Sequence, residues 1–482
     1  MSHGGVLAIL ATLVSAIVVG LGGLQNLIQL AQLVLAGVTI GLRKPVGPAG
    51  QLWRRYSDGA PSITLMAPAY NEELTIVESV RSLLNLHYPE FEVVVVNDGS
   101  RDRTLEMLIS AFQLTPTKHA FQQSLPTSSI RTIYTAADQP RLIVIDKANG
   151  GKADALNAAI NIARSPLVCT IDADSILEPD ALLRAVQPFI EDPERVIAVG
   201  GSIRIANGCR VDHGRLMDIG LPRNGLALIQ TVEYLRAFLI ARLASSELGA
   251  ATIISGAFGL FDRQALLRVG GYSLGTVGED MELVVKLHRW FRDNRRPYRM
   301  TFVPEPVCWT EVPETMAGLA GQRQRWQRGA LETFFKHADM LATLRYGRVA
   351  GLGMTQVLVT DVLGPFAELM GYVLIPLLCA GGLLSWSYFV AFLAVSMGFG
   401  LAINVGGLAL EEAVLWRVAR SWDVLLLVAV AIVEIFGYRQ LSNLWRVQGT
   451  WQFLRRKKGW GVMPRKGFQP DAISVADPAT PD

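Results

Sequence analysis

Cysteine is scarce in this chain: four in 482 residues, at Cys169, Cys209, Cys308 and Cys379, with no metal-ligand spacing among them. That pattern argues against a zinc ribbon or a disulfide framework and predicts buried, reduced thiols. The six histidines are scattered and form no ligand cluster. Charge is sparse as well: Asp, Glu, Lys and Arg make up 18% of the residues, below the usual share of about a quarter. The net charge of +3 is too small to argue for nucleic acid as a partner. No internal repeat is visible. The N-terminus lacks the short apolar core and small-residue cleavage site of a signal peptide.

Apolar residues are abundant instead, at 50% of the chain. They gather in long runs, which points to a membrane protein with an attached soluble domain. The run from Val6 to Leu42 exceeds the roughly 20 residues that span a bilayer. It reads as one long helix, or as two short spans bent at Gly20-Leu21-Gly22-Gly23. One helix is favoured, because Gln25, Asn26, Gln29 and Gln32 recur at helical spacing as a polar stripe facing other helices. Three more apolar stretches, about 354–384, 387–410 and 423–446, follow late in the chain, with Pro365 and Pro376 interrupting the first. Basic residues flank these runs: Arg43, Lys44, Arg54 and Arg55, and Arg455 to Lys458. Such clusters mark cytoplasmic edges. Three complete late spans would put the second cluster on the wrong side, so either the first stretch is partly interfacial or one segment is re-entrant.

Between the apolar ends the texture changes. Residues 45–61 read as a Pro- and Gly-rich linker. Short β-rich runs follow: Ser62–Met66, Phe91–Val96, Leu142–Ile145, Leu167–Ile171 and Val196–Val199. Helical patterns such as Glu73–Leu86 and Lys152–Ala163 lie between them. That alternation predicts an α/β domain with a mostly parallel sheet. Ligands of such sheets bind beyond the carboxyl ends of the strands, where Tyr70-Asn71-Glu72, Asn97-Asp98 and Asp172-Ala173-Asp174 fall. Residues 114–139 are polar and read as a surface insertion. Met316–Tyr346 mixes aromatic and basic residues and reads as amphipathic helices at a membrane surface. The expected domains are therefore 1–44, a membrane segment; 45–61, a linker; 62–315, the α/β domain; 316–350, interface helices; 351–446, membrane helices; and 447–482, a basic tail.

Several residues carry chemistry. Asp172 and Asp174 leave a strand two positions apart. They suit either a turn capping the next helix or a hard divalent cation shared with phosphate oxygens. Asp98, before Gly99-Ser100, suits a turn or a ligand contact. Lys147-Ala148-Asn149-Gly150-Gly151-Lys152 opens a helix, where glycines let backbone approach an anion. Asp280, in Gly-Glu-Asp-Met-Glu, is either a helix N-terminal charge or a base. Gln322, Arg325 and Trp326 lie on one amphipathic helix; the ring offers a sugar a flat apolar face, and the guanidinium suits a diphosphate.

Taken in order, Asp98, Asp172-Ala173-Asp174, Glu279-Asp280 and Gln322-Arg323-Gln324-Arg325-Trp326 resemble the D, DxD, ED and QxxRW series of membrane-embedded family 2 glycosyltransferases. That group includes chitin, hyaluronan, cellulose and poly-N-acetylglucosamine synthases. The resemblance covers roughly residues 60–335, with a looser match of Trp460-Gly461, Arg465 and Lys466 to a mobile tail. It implies a GT-A nucleotide-diphospho-sugar transferase fold beside an α-helical membrane domain. Tyr70, Glu72, Asp98, Lys152 and Asp172 would hold the nucleotide, and Asp174 with Asp172 a Mg²⁺ or Mn²⁺ ion. Asp280 would be the general base, supported by Glu279. Gln322, Arg325, Trp326 and Phe258 would meet the acceptor and diphosphate. Two positions depart from the family: Ala69 and Gly278 stand where Thr is usual. The implied activity is inverting, processive extension of a β-linked polysaccharide from a UDP-sugar, UDP-N-acetylglucosamine foremost. Its partners would be the growing polymer or a lipid acceptor and membrane lipids, at the bacterial inner membrane with a cytoplasmic catalytic domain. The alternatives are a non-processive enzyme glycosylating a lipid and, third, a non-catalytic membrane scaffold or receptor.

Overall fold

The computed structural model describes residues 3–43, 49–118, 120–212, 214–415 and 421–457. Lys44 at the end of the expected membrane segment, Pro45 and Pro48 of the expected linker, Lys458, and Trp460, Gly461, Arg465 and Lys466 of the tail lie outside the described residues.

The α/β domain is built on one ten-stranded sheet. In chain order its strands are β1 (Ile63–Ala69), β2 (Phe91–Asn97), β3 (Thr115–Thr117), β4 (Ile130–Thr135), β5 (Leu142–Lys147), β6 (Leu167–Thr170), β7 (Ser175–Leu177) and β8 (Val196–Ile205). A small hairpin of β9 (Arg210–Asp212) and β10 (Arg215–Asp218) intervenes before β11 (Gly259–Asp262) and β12 (Arg299–Thr310). The sheet order is β3-β4-β5-β2-β1-β6-β11-β8-β12-β7. Strands β5, β2, β1 and β6 run parallel, as do β8 and β12; β11 lies antiparallel between β6 and β8. All five predicted strands are present. The apolar runs that announce them are buried on both faces, as a helix-covered parallel sheet requires.

The polar stretch 114–139 is more than a surface insertion. It supplies β3 and β4, which extend the sheet at one edge. Its apolar signal is weak because an edge hairpin buries little; Ile133 alone in β4 is fully enclosed.

The helices that shape the site are α1 (His3–Leu42), α2 (Lys152–Ile162), α3 (Gly225–Leu235), α4 (Glu279–Asp293), α5 (Met316–Lys336), α6 (Gly364–Ala380), α7 (Trp386–Leu415), α8 (Ser421–Val433) and α9 (Arg439–Leu454). Four stretches are long and apolar enough to cross a membrane: Ala11–Leu42, Val349–Ala380, Trp386–Glu412 and Trp422–Leu454. The protein is thus a membrane protein by its helices. α1 is continuous through its glycines. Its polar stripe faces inward: Gln25 donates to Glu368 at 3.2 Å, and Gln32 to Gln356 at 3.0 Å.

The fourth stretch is broken. Phe436 is extended and Gly437 has φ of 90°, so α8 and α9 are separate helices joined by a sharp bend. α8 is 13 residues long, about 20 Å at 1.5 Å per residue, short of a hydrocarbon core of about 30 Å. Leu427, Val430 and Ala431 of α8 pack on Leu228 and Val232 of α3. After the bend α9 runs back along α5. Gln452 donates to Gln324 at 2.7 Å, and Arg446 to Gln327 at 2.9 Å. Both halves therefore lie on elements that join the sheet domain to the membrane helices. Of the cysteines, Cys169, Cys308 and Cys379 are buried and Cys209 is half-buried, and all four are free thiols.

Candidate active site

The carboxyl ends of β1, β2, β5 and β6 carry the site. After β1, Tyr70 projects outward with 44% of its surface exposed, ready to face a ring. Asn71 takes positive φ and caps the neighbouring loop, its Oδ1 accepting from the Arg101 amide at 2.8 Å. Glu72 turns inward and accepts from Thr75 Oγ1 at 2.9 Å. Asp98, expected at the nucleotide, is also turned inward. Its carboxylate accepts from Lys147 Nζ at 2.5 Å and from the Gly150 and Gly151 amides at 3.0 and 2.7 Å. The reason is the local charge: Lys147 is fully buried, and Asp98 and Asp154 flank it at 2.5 Å each. Asp98 thus pins the glycine loop, while Tyr70 stays open at this end of the sheet.

That loop starts α2 and sends Lys152 across the mouth of the sheet. Lys152 Nζ lies 2.5 Å from Asp172 Oδ1 and 3.5 Å from Glu279 Oε1. Burial alone would lower the ammonium's pKa, but Asp172 and Glu279 outweigh it and raise it, so Lys152 stays charged. Gly256 makes room: a Cβ there would sit 2.6 Å from Lys152 Nζ.

The turn after β6 is closed by backbone, the Ser175 amide donating to Asp172 O at 3.0 Å. The Asp172 carboxylate points away from the turn to Lys152, at 2.5 Å. Among the described residues no group of three or more His, Cys, Asp or Glu would cage a metal unaided. A Mg²⁺-type site needs no such cage, since one or two carboxylates with substrate phosphates suffice. Asp172 and Asp174 are hard oxygen donors beside the sheet mouth, and the pair fits such an ion.

Asp280 stands at the N-terminus of α4. Its Oδ2 accepts from the Gly256 amide at 3.2 Å and its Oδ1 from the Met281 amide at 2.8 Å. Glu279 beside it is 4% exposed. Burial pushes its carboxyl up to about 7, with Lys152 opposing and Asp280 adding to the rise. Gly278, where the family has Thr, is explained by a helix crossing: a Cβ there would meet Gly329 Cα of α5 at 2.7 Å. Glu332 of α5 fastens the same loop, accepting from Thr276 Oγ1 and the Val277 amide at 2.8 and 3.0 Å. Glu282 adds a third tie, to Lys336 at 2.6 Å and His337 at 3.4 Å.

α5 carries Gln322, Arg325 and Trp326. Arg325 is brought to the cluster: burial lowers its guanidinium's pKa, while Glu279 and Asp172 act to raise it. Trp326 keeps 46% of its surface exposed and carries the Arg323 guanidinium 4.4 Å from its ring centroid. Gln322 is buried and accepts from Arg323 Nη1 at 2.8 Å, a support for Arg323 rather than an open contact. Phe258 is a correction. Its ring has no exposed surface and fills the core against Gly201, so it does not line a sugar path.

Three residues that work here were not read from the sequence: Lys147, Glu282 and Arg323. Arg323 pairs with Glu233 and donates to Tyr438 Oη at 3.3 Å, anchoring the Gln-Arg-Gln-Arg-Trp helix to the broken fourth stretch. A lysine ending an apolar strand was the available signal for Lys147.

Carboxylates, a crossing lysine and an aromatic helix, held at the end of such a sheet, agree with the family comparison: residues 64–270 match the family model described as Glycosyl transferase family 2. This chain carries a family 2 glycosyltransferase domain. It is 31% identical over 292 residues to a poly-β-1,6-N-acetyl-D-glucosamine synthase of Staphylococcus aureus strain COL, covering 60% of this chain and 59% of that one. A protein of the same description from Staphylococcus epidermidis is 31% identical over 283 residues, covering 59% and 57%. The chain thus spans about three fifths of the length of these curated relatives. The fold resembles that of a solved mannosyltransferase from Pyrobaculum calidifontis, in complex with GDP-Man and Mn²⁺. The TM-score is 0.55 at 19% identity, covering 92% of this chain and all of that one. The family 2 domain is of the GT-A type.

Proposed function

We propose that this protein is an inverting, processive glycosyltransferase that builds a β-linked N-acetylglucosamine polymer from UDP-N-acetylglucosamine. The observation that carries this reading is the convergence of Lys152, Asp172, Glu279 and Asp280 at one sheet mouth, closed on the membrane-domain side by the Arg325–Trp326 helix. The likeness to poly-β-1,6-N-acetylglucosamine synthases supports the sugar and suggests a β-1,6 linkage.

Each group has a task. Tyr70 faces the nucleobase, and Glu72 and Asp98 shape the loops around the nucleotide. Lys152 and Arg325 set positive charge beside the diphosphate. Asp174, with Asp172, would hold a Mg²⁺ or Mn²⁺ ion, which supplies charge neutralisation to the leaving diphosphate. Asp280 takes the proton from the acceptor hydroxyl. Attack from the side of that base, opposite the departing diphosphate, inverts an α-linked donor to a β-linked product. Glu279 holds Lys152 in place. Trp326 offers the terminal sugar a stacking face.

With α8 and α9 folded back, α1, α6 and α7 would be the complete spans. The tail then returns to the catalytic side, so Arg455 to Lys457 agree with a cytoplasmic domain. Accordingly the sheet domain faces the cytoplasm under a bacterial inner membrane.

The test is to incubate membranes with a panel of labelled UDP-sugars and size the products. Polymer from UDP-N-acetylglucosamine is expected, abolished by chelator and restored by Mg²⁺ or Mn²⁺. A single sugar on lipid would favour the non-processive rival. Undiminished synthesis in chelator would remove the metal role.

A further inference from the structure

One face of the Trp326 ring is already taken. The Arg323 guanidinium lies over it, 4.4 Å from the ring centroid. Residues three apart on a helix are neighbours on its surface, so α5 alone brings the pair together. Three further residues then hold the cation. Arg323 is 2% exposed, and its Nη2 pairs with Glu233 of α3 and donates to Tyr438 Oη at 3.3 Å. Its Nη1 donates to Gln322 Oε1 at 2.8 Å. Tyr438 closes the set by donating to Glu233 Oε2 at 3.0 Å.

Tyr438 belongs to the bend between α8 and α9, and that bend is tied on both sides. Before it, Glu434 accepts from Arg236 at 3.1 Å and from Asn404 of α7 at 2.7 Å. After it, Glu368 of α6 accepts from Arg439 at 2.9 Å and from Asn443 at 2.7 Å. Gly437, with φ of 90°, lets the chain reverse between these ties. Buried hydrogen-bonded networks of this kind restrict the groups they join. The Tyr438 hydroxyl is therefore delivered to Arg323 by the membrane helices, whereas Trp326 reaches it along α5.

We propose that Arg323 is a positioning residue for the acceptor: it covers one face of Trp326 and fixes the ring, so that the terminal sugar stacks on the other face, with Glu233 and Tyr438 setting the guanidinium. A guanidinium can stack on an indole while its N–H groups make hydrogen bonds elsewhere, which an ammonium does less well. This role rests on the transferase reading above, in which Trp326 meets the acceptor.

The test uses the purified full chain, UDP-N-acetylglucosamine and short β-linked N-acetylglucosamine oligomers. Arg323→Lys keeps a cation for Glu233 but removes the planar group from the ring. It should weaken oligomer binding about three- to tenfold, the scale of one cation–π contact, while UDP affinity stays within about twofold. Tyr438→Phe, which removes one hydroxyl and keeps the ring, should give a smaller shift in the same direction. A double-mutant cycle separates positioning from folding: in a Trp326→Ala background, Arg323→Lys should change oligomer affinity by less than about twofold. Should Arg323→Lys fail to fold, Tyr438→Phe carries the cycle. An equal loss in both backgrounds would overturn the role, because the guanidinium would then act without the ring. So would unchanged oligomer affinity in a folded Arg323→Lys variant, or UDP affinity falling in step. Wild type inert towards every UDP-sugar would overturn the transferase reading as well; an active wild type with indifferent Arg323 and Tyr438 variants would overturn the Arg323 role alone.

Discussion

The two sides of the catalytic centre are finished to different degrees. On the nucleotide side the buried charges answer one another: Lys147 sits between Asp98 and Asp154, and Lys152 between Asp172 and Glu279. On the membrane side Trp326 leaves almost half its surface open. A side that binds the same small, charged molecule every cycle can be completed by the protein itself. On the proposed function, the side that would grip and release a lengthening polymer keeps part of its bonding capacity for the ligand.

The comparison breaks first at Asp280, which both sides share. Asp280→Asn should lower turnover by roughly 10²–10⁴-fold, the usual worth of a general base, with UDP affinity almost unchanged. Preserved turnover, or collapsed UDP binding in titration calorimetry, would remove Asp280 from that role.

The nucleotide side is tested by Lys147→Met. Two carboxylates would lose their shared cation in the interior, which costs about 3–5 kcal/mol when one partner of a buried pair is removed. Thermal unfolding in detergent should fall sharply, and UDP binding should weaken as the Gly150–Gly151 loop loosens. An unchanged melting temperature would mean that Asp98 and Asp154 do not depend on Lys147.

The membrane side is tested by Trp326→Ala. Losing one stacked ring should cost on the order of 1–3 kcal/mol of acceptor binding, leave UDP binding intact and shorten the polymer on a sizing gel. Products of wild-type length would remove Trp326 from the acceptor site.

The smallest effect is expected from pH. The folded Glu279 carboxyl titrates at about 7 rather than its ordinary 4.5. A raised carboxyl contributes stability that is fully present below the unfolded value and lost as pH rises through the folded one. From about pH 5 to 8, wild type should therefore lose stability relative to Glu279→Gln by about 1–3 kcal/mol. Parallel melting curves for the two proteins across that range would contradict a buried, strained Glu279.

Much of this was legible before folding. The five predicted strands announced themselves as short apolar runs, and the acidic motifs sat where strand ends had to be. What escaped were pairings between residues far apart in sequence. Nothing near Lys147 says that Asp98, some fifty residues earlier, will enclose it, and Asp98 alone reads as a ligand contact. The family resemblance put Phe258 on the sugar path, but its ring packs inward against Gly201 and has no exposed surface. The edge strands β3 and β4 carry too few apolar residues to stand out. The bend at Phe436–Gly437 hides within an apolar run whose hydropathy is that of a straight span; the distribution of basic residues left a partly interfacial first stretch and a re-entrant segment equally open.

The contact between Gly278 and Gly329 has a consequence for the product. The start of α4 and the middle of α5 lie too close there for even a Cβ between them, which fixes the backbones that carry Asp280 and Trp326 relative to each other. For a polymerising enzyme this amounts to a ruler. On the proposed function, every incoming residue would be measured against the same length and orientation, and the same hydroxyl presented each time. Uniform linkage along the chain would then follow from rigidity at one helix crossing, and motion during synthesis would have to come from the polymer rather than from the site.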